Sequence, residues 1–395
     1  MFLLKNKNLF FILTIAGASA FFSCNSQSQK PPVTKVVVDS SAPVAVNTLP
    51  KEEYDRYHNT AKHFFDSLLK DINGSYLVAK DGQVVLEKYV GFLDPQRKKD
   101  SITSTSAFHL ASVSKTFTAM ATLKLWQDGR LRLEDDLTKY FPNFPYPGVT
   151  VKMLLTHRSG LPNYVHYLES YHWDKRKLVT NLDVLSTLYT MHPPLQFATG
   201  KHFAYCNTNY ALLALIIEKV SNMKYADFLN ATFFKPLQMN DTYVYNISDS
   251  ATAMPSFEYN NRRFPIEFLD LVYGDKNIYS TVRDMLKWDQ ALYAGKFFQQ
   301  ATLDSAFSPY SFEKNGKRNY GLGWRMTFMD NGKKLLYHNG WWHGNNTAFI
   351  RLIDEHATII VLGNKFNKKI YQSKKLADMF GDYQQHGDFE EEGQP

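Results

Sequence analysis

A serine, a lysine three residues later and an apolar helical stretch behind them give this chain its first candidate for chemistry. The residues are Ser112-Val113-Ser114-Lys115, within Phe108-His109-Leu110-Ala111-Ser112-Val113-Ser114-Lys115-Thr116-Phe117-Thr118-Ala119-Met120. Positions i and i+3 share one face of a helix, so Ser112 at a helix start would place its hydroxyl beside the Lys115 amine. The same helix start contributes unpaired backbone N–H groups and partial positive charge. A hydroxyl, a candidate base and anion-stabilising donors from one turn are what nucleophilic catalysis at a carbonyl requires.

The tetrapeptide alone says little. Ser67 to Lys70 falls on a polar-faced helix, Ser221 to Lys224 in a helix-ending turn, and Ser311 to Lys314 in a polar loop. Only the match at Ser112 has an apolar strand-like stub before it and an apolar helix after it. Downstream, in order, come Phe203-Ala204-Tyr205-Cys206-Asn207-Thr208-Asn209-Tyr210 and Tyr337-His338-Asn339-Gly340-Trp341.

With those three elements in that order, the chain resembles the serine β-lactamase-like, penicillin-binding family, in its branch of class C β-lactamases, D-alanyl-D-alanine peptidases and family VIII esterases. That branch carries Ser-x-x-Lys, then Tyr-x-Asn, then Lys- or His-x-Gly; a sister class carries Ser-Asp-Asn and Lys-Thr-Gly as second and third elements. Connecting stretches match as well: Leu154-Leu155-Thr156-His157-Arg158-Ser159-Gly160-Leu161-Pro162, Ser280-Thr281-Val282-Arg283-Asp284-Met285 and Tyr320-Gly321-Leu322-Gly323-Trp324. The resemblance covers residues 50 to 380 approximately.

The resemblance implies that Ser112 attacks a carbonyl to form an acyl-enzyme. A serine hydroxyl needs a base within hydrogen-bond reach. Lys115 can serve when uncharged, and Tyr205 can serve when a neighbouring ammonium stabilises its phenolate; the two would titrate as a pair. Asn207 matches the Asn that holds the lysine and the substrate amide. The third element has two candidates, Lys314-Asn315-Gly316 and His338-Asn339-Gly340. In the family the Gly-Leu-Gly-Trp stretch precedes this element, which favours His338. Backbone N–H groups of Ser112 and Trp341 would then form the oxyanion hole. Asn339 stands where the family has Thr or Ser, a hydroxyl that helps to hold a substrate carboxylate, and His338 is charged only in part near neutrality. Both departures point away from efficient β-lactam turnover and toward short neutral esters.

Composition fits an ordinary globular enzyme: of 395 residues, 44% are hydrophobic and 21% charged. The net charge of +7 is scattered without an Arg/Lys run, so nucleic acid is not an expected partner. Twelve histidines include no ligand spacing such as His-Glu-x-x-His, so no metal and no cofactor is expected. Cys24 and Cys206 are the only cysteines; Cys206 reads as a small side chain tucked behind the site rather than a nucleophile.

Residues 1 to 23 read as a secretory signal, with Lys5 and Lys7 ahead of an apolar run. The run ends in Phe21-Phe22-Ser23-Cys24, which resembles a bacterial lipobox with Cys24 as the acylated residue; plain cleavage near Ala20 is the alternative. Residues 24 to 50 read as a flexible tether, 51 to 380 as one serine hydrolase domain, and the acidic stretch 381 to 395 as a disordered tail. Within the domain, residues 52–70 have helical spacing with Tyr54, His58, Ala61, Phe65 and Leu68 on one face, and residues 75–92 form a hairpin about Asp81-Gly82. Thr347–Leu352 and Ala357–Leu362 form a second strand pair, followed by a helix from Phe366 to Phe380. Helices are also expected over Thr116–Gln127 and Asn209–Ser221. Strands at both chain ends predict an α/β (α+β) fold: an antiparallel sheet built from both ends and flanked by helices, with a helix-rich second lobe between them. The resemblance implies the same fold, of β-lactamase/transpeptidase type.

These observations lead to a cell-envelope serine hydrolase that works through an acyl-Ser112 intermediate on an ester, amide or D-amino-acid peptide, anchored to a membrane through Cys24. The contrasting reading is a catalytically weak penicillin-binding or peptidoglycan-binding regulatory protein on the same fold.

Overall fold

The computed structural model describes residues 46–312 and 317–384; the expectations for the signal segment, for Cys24, for Lys314-Asn315-Gly316 and for the end of the tail lie outside them. The first helix runs from Lys51 to Phe64 and continues as a wider turn over Phe65–Leu69. It buries Tyr57, Ala61, Phe65 and Leu69. Ala61 and Phe65 belong to the expected stripe, whereas its other members, Tyr54, His58 and Leu68, are only half-buried and Tyr57 and Leu69 take their place. His58 lies off the buried stripe because its Nδ1 sits 2.8 Å from the Val85 carbonyl at the sheet surface.

Strand β1 (Gly74–Lys80) turns at Asp81-Gly82 into β2 (Gln83–Val90). Both turn residues have positive φ, 51° and 79°, the pairing that a tight hairpin matched to strand twist needs. Two short strands, β3 (Phe92–Asp94) and β4 (Lys99–Ser101), pair with each other. The stub β5 (Phe108–His109) forms a three-stranded sheet with β6 (Tyr243–Val244) and β7 (Ile278–Ser280). The remaining strands close the chain: β8 (Arg318–Tyr320), β9 (Arg325–Phe328), β10 (Lys334–Trp342), β11 (Asn345–Leu352) and β12 (Ala357–Gly363).

The main sheet has the order β2-β1-β12-β11-β10-β9-β8, with every neighbour antiparallel. The first and last strands of the domain are neighbours within this sheet, Tyr76 opposite Val361, as the two-ended pattern predicts. Side chains alternate between faces, so a strand covered on both sides reads as a continuous apolar run. In β12, Ile359 and Val361 pack against Tyr57, Ala61, Phe65, Ile370 and Leu376 of the terminal helices. Ile360 and Leu362 face the opposite way, into a core shared with the central helices. The expected last helix is a long 3-10 helix, Lys368–Met379.

Between the two ends of the sheet lie the helices Ser114–Gln127 and Asn207–Ser221. The first is buried almost all round, from Ser114 to Leu125, so its sequence carries no amphipathic stripe. The second starts two residues earlier than its apolar spacing indicates, and Asn207 therefore belongs to its first turn.

Candidate active site

Ser112 sits in a single 3-10 turn, Ala111–Val113, between β5 and the helix that begins at Ser114. Two features force this turn. Ala111 has φ +49°, a conformation that costs a non-glycine residue energy unless its surroundings impose it. Its backbone N–H donates to His109 Nδ1 at 3.0 Å, while His109 Nε2 lies 2.8 Å from Asn277 Oδ1. Burial pushes the His109 imidazole down to about 4, so near neutrality it stays uncharged and Nδ1 is free to accept. The second feature is β10. A Cβ at Gly340 would lie 2.4 Å from the Leu110 carbonyl and 3.0 Å from Ala111 Cβ, so only glycine lets the strand lie against the turn. Thr347 of β11 ties the contact by donating Oγ1–H to that same carbonyl at 2.7 Å. Trp341, next along β10, thereby comes beside the serine turn.

Ser112 is half-buried and Lys115 fully buried. The Lys115 amine lies 3.1 Å from Ser112 Oγ, 2.8 Å from Asn207 Oδ1 and 2.8 Å from the backbone carbonyl of Asp275. It also stands 4.9 Å from the centre of the Tyr205 ring and 5.7 Å from that of Tyr210. All its hydrogen-bond partners are neutral oxygens. The fork works in either protonation state: an ammonium donates to all three, and a neutral amine donates to Asn207 and Asp275 while its lone pair meets the Ser112 O–H.

Tyr205 ends an extended segment ahead of the helix and presents a buried hydroxyl with no hydrogen-bond partner among the described residues. Its ring is packed against His157, 4.4 Å between centroids, and the Arg325 guanidinium of β9 lies 4.9 Å over its face. His157 Nδ1 accepts the Cys206 N–H at 3.1 Å and the Asn209 amide at 3.2 Å. Burial, reinforced by the charges of Lys115 and Arg325, holds this imidazole well below its usual range. The stretch Leu154 to Pro162 thus has a physical role, as the backing of the second motif. Cys206 points into that backing, with Sγ 3.4 Å from the Leu161 carbonyl, and burial pushes its thiol up to about 11. A thiol held protonated in this way is a packed side chain, not a nucleophile.

His338 lies in the middle of β10, its ring 6.3 Å from that of Tyr205. Its side chain is fully buried, with Nε2 3.2 Å from the Tyr320 hydroxyl and Nδ1 2.7 Å from the Asn339 carbonyl. Asn339 is half-buried, and Trp341 donates its indole N–H to the His343 carbonyl at 2.9 Å. The fold therefore brings Ser112, Lys115, Tyr205, Asn207, His338 and the Gly340-Trp341 backbone into one neighbourhood. Four contributors have no role assigned from the sequence: the Asp275 carbonyl, the His109–Asn277 clamp, Tyr320, which the sequence marks only as part of a connecting stretch, and Arg325. Among the described residues no group of three His, Cys, Asp or Glu side chains is arranged to hold a metal.

Comparison with known proteins identifies the family and the fold. The family model described as Beta-lactamase matches residues 62–379. Penicillin-binding protein 4* of Bacillus subtilis is 34% identical over 320 residues, 77% of this chain and 70% of that protein. Protein flp of Staphylococcus aureus is 28% identical over 312 residues; the match spans 73% of this chain but only 59% of that protein's length. Among solved structures, the penicillin-binding protein of Bacillus halodurans superposes with a TM-score of 0.71 at 21% identity, covering 81% of this chain and 98% of that one. The D-amino acid amidase of Ochrobactrum anthropi SV3 superposes with a TM-score of 0.66 at 22% identity, covering 83% and 97%. The two solved structures establish the fold, an antiparallel sheet from both chain ends with a helical region. With the family match spanning nearly all of the folded domain, the chain belongs to the beta-lactamase family of penicillin-binding-like serine hydrolases.

Proposed function

We propose that this protein is a cell-envelope serine hydrolase that forms an acyl-Ser112 intermediate from an ester, an amide or a D-amino-acid peptide. The observation that carries the reading is the Lys115 amine, 3.1 Å from Ser112 Oγ and held by two further neutral oxygens. Ser112 Oγ attacks the substrate carbonyl as its proton passes to the Lys115–Tyr205 pair. The oxyanion is received by the backbone N–H groups of Ser112 and Trp341. The same proton then goes to the departing alcohol or amine, and water repeats the sequence on the acyl-enzyme. Asn207 keeps the lysine directed at the serine and offers its amide N–H₂ to the substrate.

On the leaving-group side, both His338 nitrogens are engaged inside the protein, while Arg325 places a permanent cation over Tyr205. That charge supports an anionic leaving portion, such as a peptide carboxylate, beside the neutral esters that the third motif favours. The names of the relatives point to penicillin binding and D-amino acid amide hydrolysis. A panel of p-nitrophenyl acetate, D- and L-phenylalanine amide, a D-alanyl-D-alanine peptide and a chromogenic cephalosporin tests the choice. Turnover of at least one, lost in Ser112→Ala, is expected. Turnover that survives in Ser112→Ala would refute the reading.

We also propose that Cys24 carries lipid and that residues 24 to 50 tether the domain to the membrane. Cys24→Ser should then move the protein from the detergent to the aqueous phase. A wild-type protein already in the aqueous phase would contradict the anchor.

A further inference from the structure

Behind Lys115 lies a second buried lysine that the reaction does not touch. Asp275 and Lys276 are each 2% exposed, and they occupy a segment fixed at several points. The Gly274 carbonyl accepts from Thr118 Oγ1 at 2.6 Å, and a Cβ at Gly274 would lie 2.5 Å from the Tyr210 carbonyl. The Asp275 carbonyl receives the Lys115 amine. Asn277 clamps His109. The segment is therefore seated on both helices that build the site.

Its side chains form a compact charged group. Asp275 Oδ2 accepts from the Tyr164 hydroxyl at 2.7 Å, and Oδ1 is buried with no hydrogen-bond partner among the described residues. Lys276 donates to the same Tyr164 oxygen, lies 3.6 Å from Asp275 Oδ2 and stands 4.6 Å from the centre of the Trp342 ring. A buried carboxylate costs far less when a cation sits beside it. Here the arrangement has a second consequence, because the residue that bears the carboxylate also holds Lys115. Alone, the Asp275 charge would stabilise the ammonium form of Lys115 through a poorly screening interior. An ammonium cannot take the Ser112 proton.

We propose that Lys276 is a positioning residue: its ammonium cancels the Asp275 carboxylate, so that Lys115 can become neutral and draw the proton from Ser112. The inference rests on the reading of Ser112 as nucleophile and of Lys115 with Tyr205 as proton acceptor. In the step itself the Ser112 O–H bond breaks, an N–H bond forms at Lys115 or an O–H bond at Tyr205, and the serine oxygen bonds to the substrate carbonyl carbon as the carbonyl π pair moves onto its oxygen. Other groups face the two lysines. Around Lys115 are Tyr205, Tyr210 and the neutral His157, with Arg325 and His338 across Tyr205. Around Lys276 are Tyr164 and Asp270, whose Oδ1 is bound by His343 Nε2 at 2.9 Å. Burial lowers the Lys276 amine from its ordinary range while Asp275 and Asp270 oppose that shift. Removing the Lys276 charge leaves a net negative charge behind the acceptor, which moves the acid limb of the acylation profile to higher pH.

The test is the rate of Ser112 modification by a fluorophosphonate across pH 5.5 to 9.5 in the full-length protein. Lys276→Met should move the midpoint of the acid limb upward by about one pH unit or more. Asp275→Asn should move it down, Lys276→Arg should keep it, and the double variant should return it toward wild type. An unmoved midpoint in folded Lys276→Met would overturn the inference. Should that variant fail to fold, the Asp275→Asn and double-variant profiles decide in the same way. Labelling that persists in Ser112→Ala would instead overturn the underlying reading, and this inference with it.

Discussion

Two buried cations on the same side of the sheet are held in opposite ways. Arg351 of β11 pairs with the Asp289 carboxylate, which also receives Thr358 Oγ1–H, and its guanidinium lies 4.5 Å over the Tyr293 ring. Lys115 has no carboxylate among its bonded partners, only a hydroxyl, an amide oxygen and a backbone carbonyl. Arginine cannot lose its proton in a protein, and a carboxylate beside it fixes the charge further. A lysine held by neutral oxygens keeps both protonation states open. The first arrangement fastens the helix Val282–Tyr293 to the sheet; the second leaves a group that can exchange a proton with Ser112.

The largest effect that bears on this contrast is at the serine. Ser112→Ala should abolish acylation while leaving the denaturation midpoint within error of wild type, measured by probe labelling and urea titration. Labelling of any other serine at a comparable rate would break the assignment. Next come the proposed proton acceptors. Lys115→Met and Tyr205→Phe should each slow acylation by about 10³-fold, within the range of general acid–base contributions. The double variant should lose little more, because members of one unit are not additive. Losses that multiply would separate the two residues.

At Arg351 the sign reverses: stability should suffer and chemistry should not. Asp289→Ala strands a buried guanidinium and should cost about 3–5 kcal/mol of unfolding free energy, read from denaturant titration. The rate of Ser112 labelling per folded molecule should stay near wild type. A slowed rate in folded protein would mean that the sheet anchor also shapes the site.

The smallest predicted effect follows from pH. His109 is neutral in the folded protein, with its pKa lowered from 6.5 to about 4 by burial. The unfolded chain binds that proton first as pH falls. The stabilisation is therefore complete above about pH 6.5 and lost progressively down to about pH 4, amounting to about 3 kcal/mol. The loss falls on the serine turn and not on the Arg351 pair. Amide hydrogen exchange should show residues 109–115 losing protection at mild acidity before residues 348–361 do. Simultaneous loss in both would erase the distinction.

Much of this arrangement was legible in the sequence, for physical reasons that differ by region. The hairpin at Asp81-Gly82 and the closing pair β11–β12 are visible because side-chain alternation and turn chemistry are local. Ser112 and Lys115 are visible because i and i+3 must share a face. Tyr205, Asn207 and His338 became visible only through their order along the chain. The third partner of Lys115 could not be read: it is a backbone carbonyl 160 residues away, and a carbonyl carries no residue-type signal. The fate of His338 was hidden as well, since Tyr320 meets it only after β8, β9 and β10 have paired. In the first helix Ala61 and Phe65 were legible, while Tyr54, His58 and Leu68 could not be told from Tyr57 and Leu69, because both sets fit a helical period with them.

The central claim is that Ser112 is the acylated atom and that Lys115 makes it reactive. The direct measurement is mass spectrometry of fluorophosphonate-treated protein at neutral pH, locating the adduct in the peptide that contains residue 112 and following its growth with time. The account predicts a single adduct on Ser112 in the wild type, with formation in Lys115→Met slowed by about 10³-fold. An adduct on another residue, or equal rates in the two proteins, would contradict it.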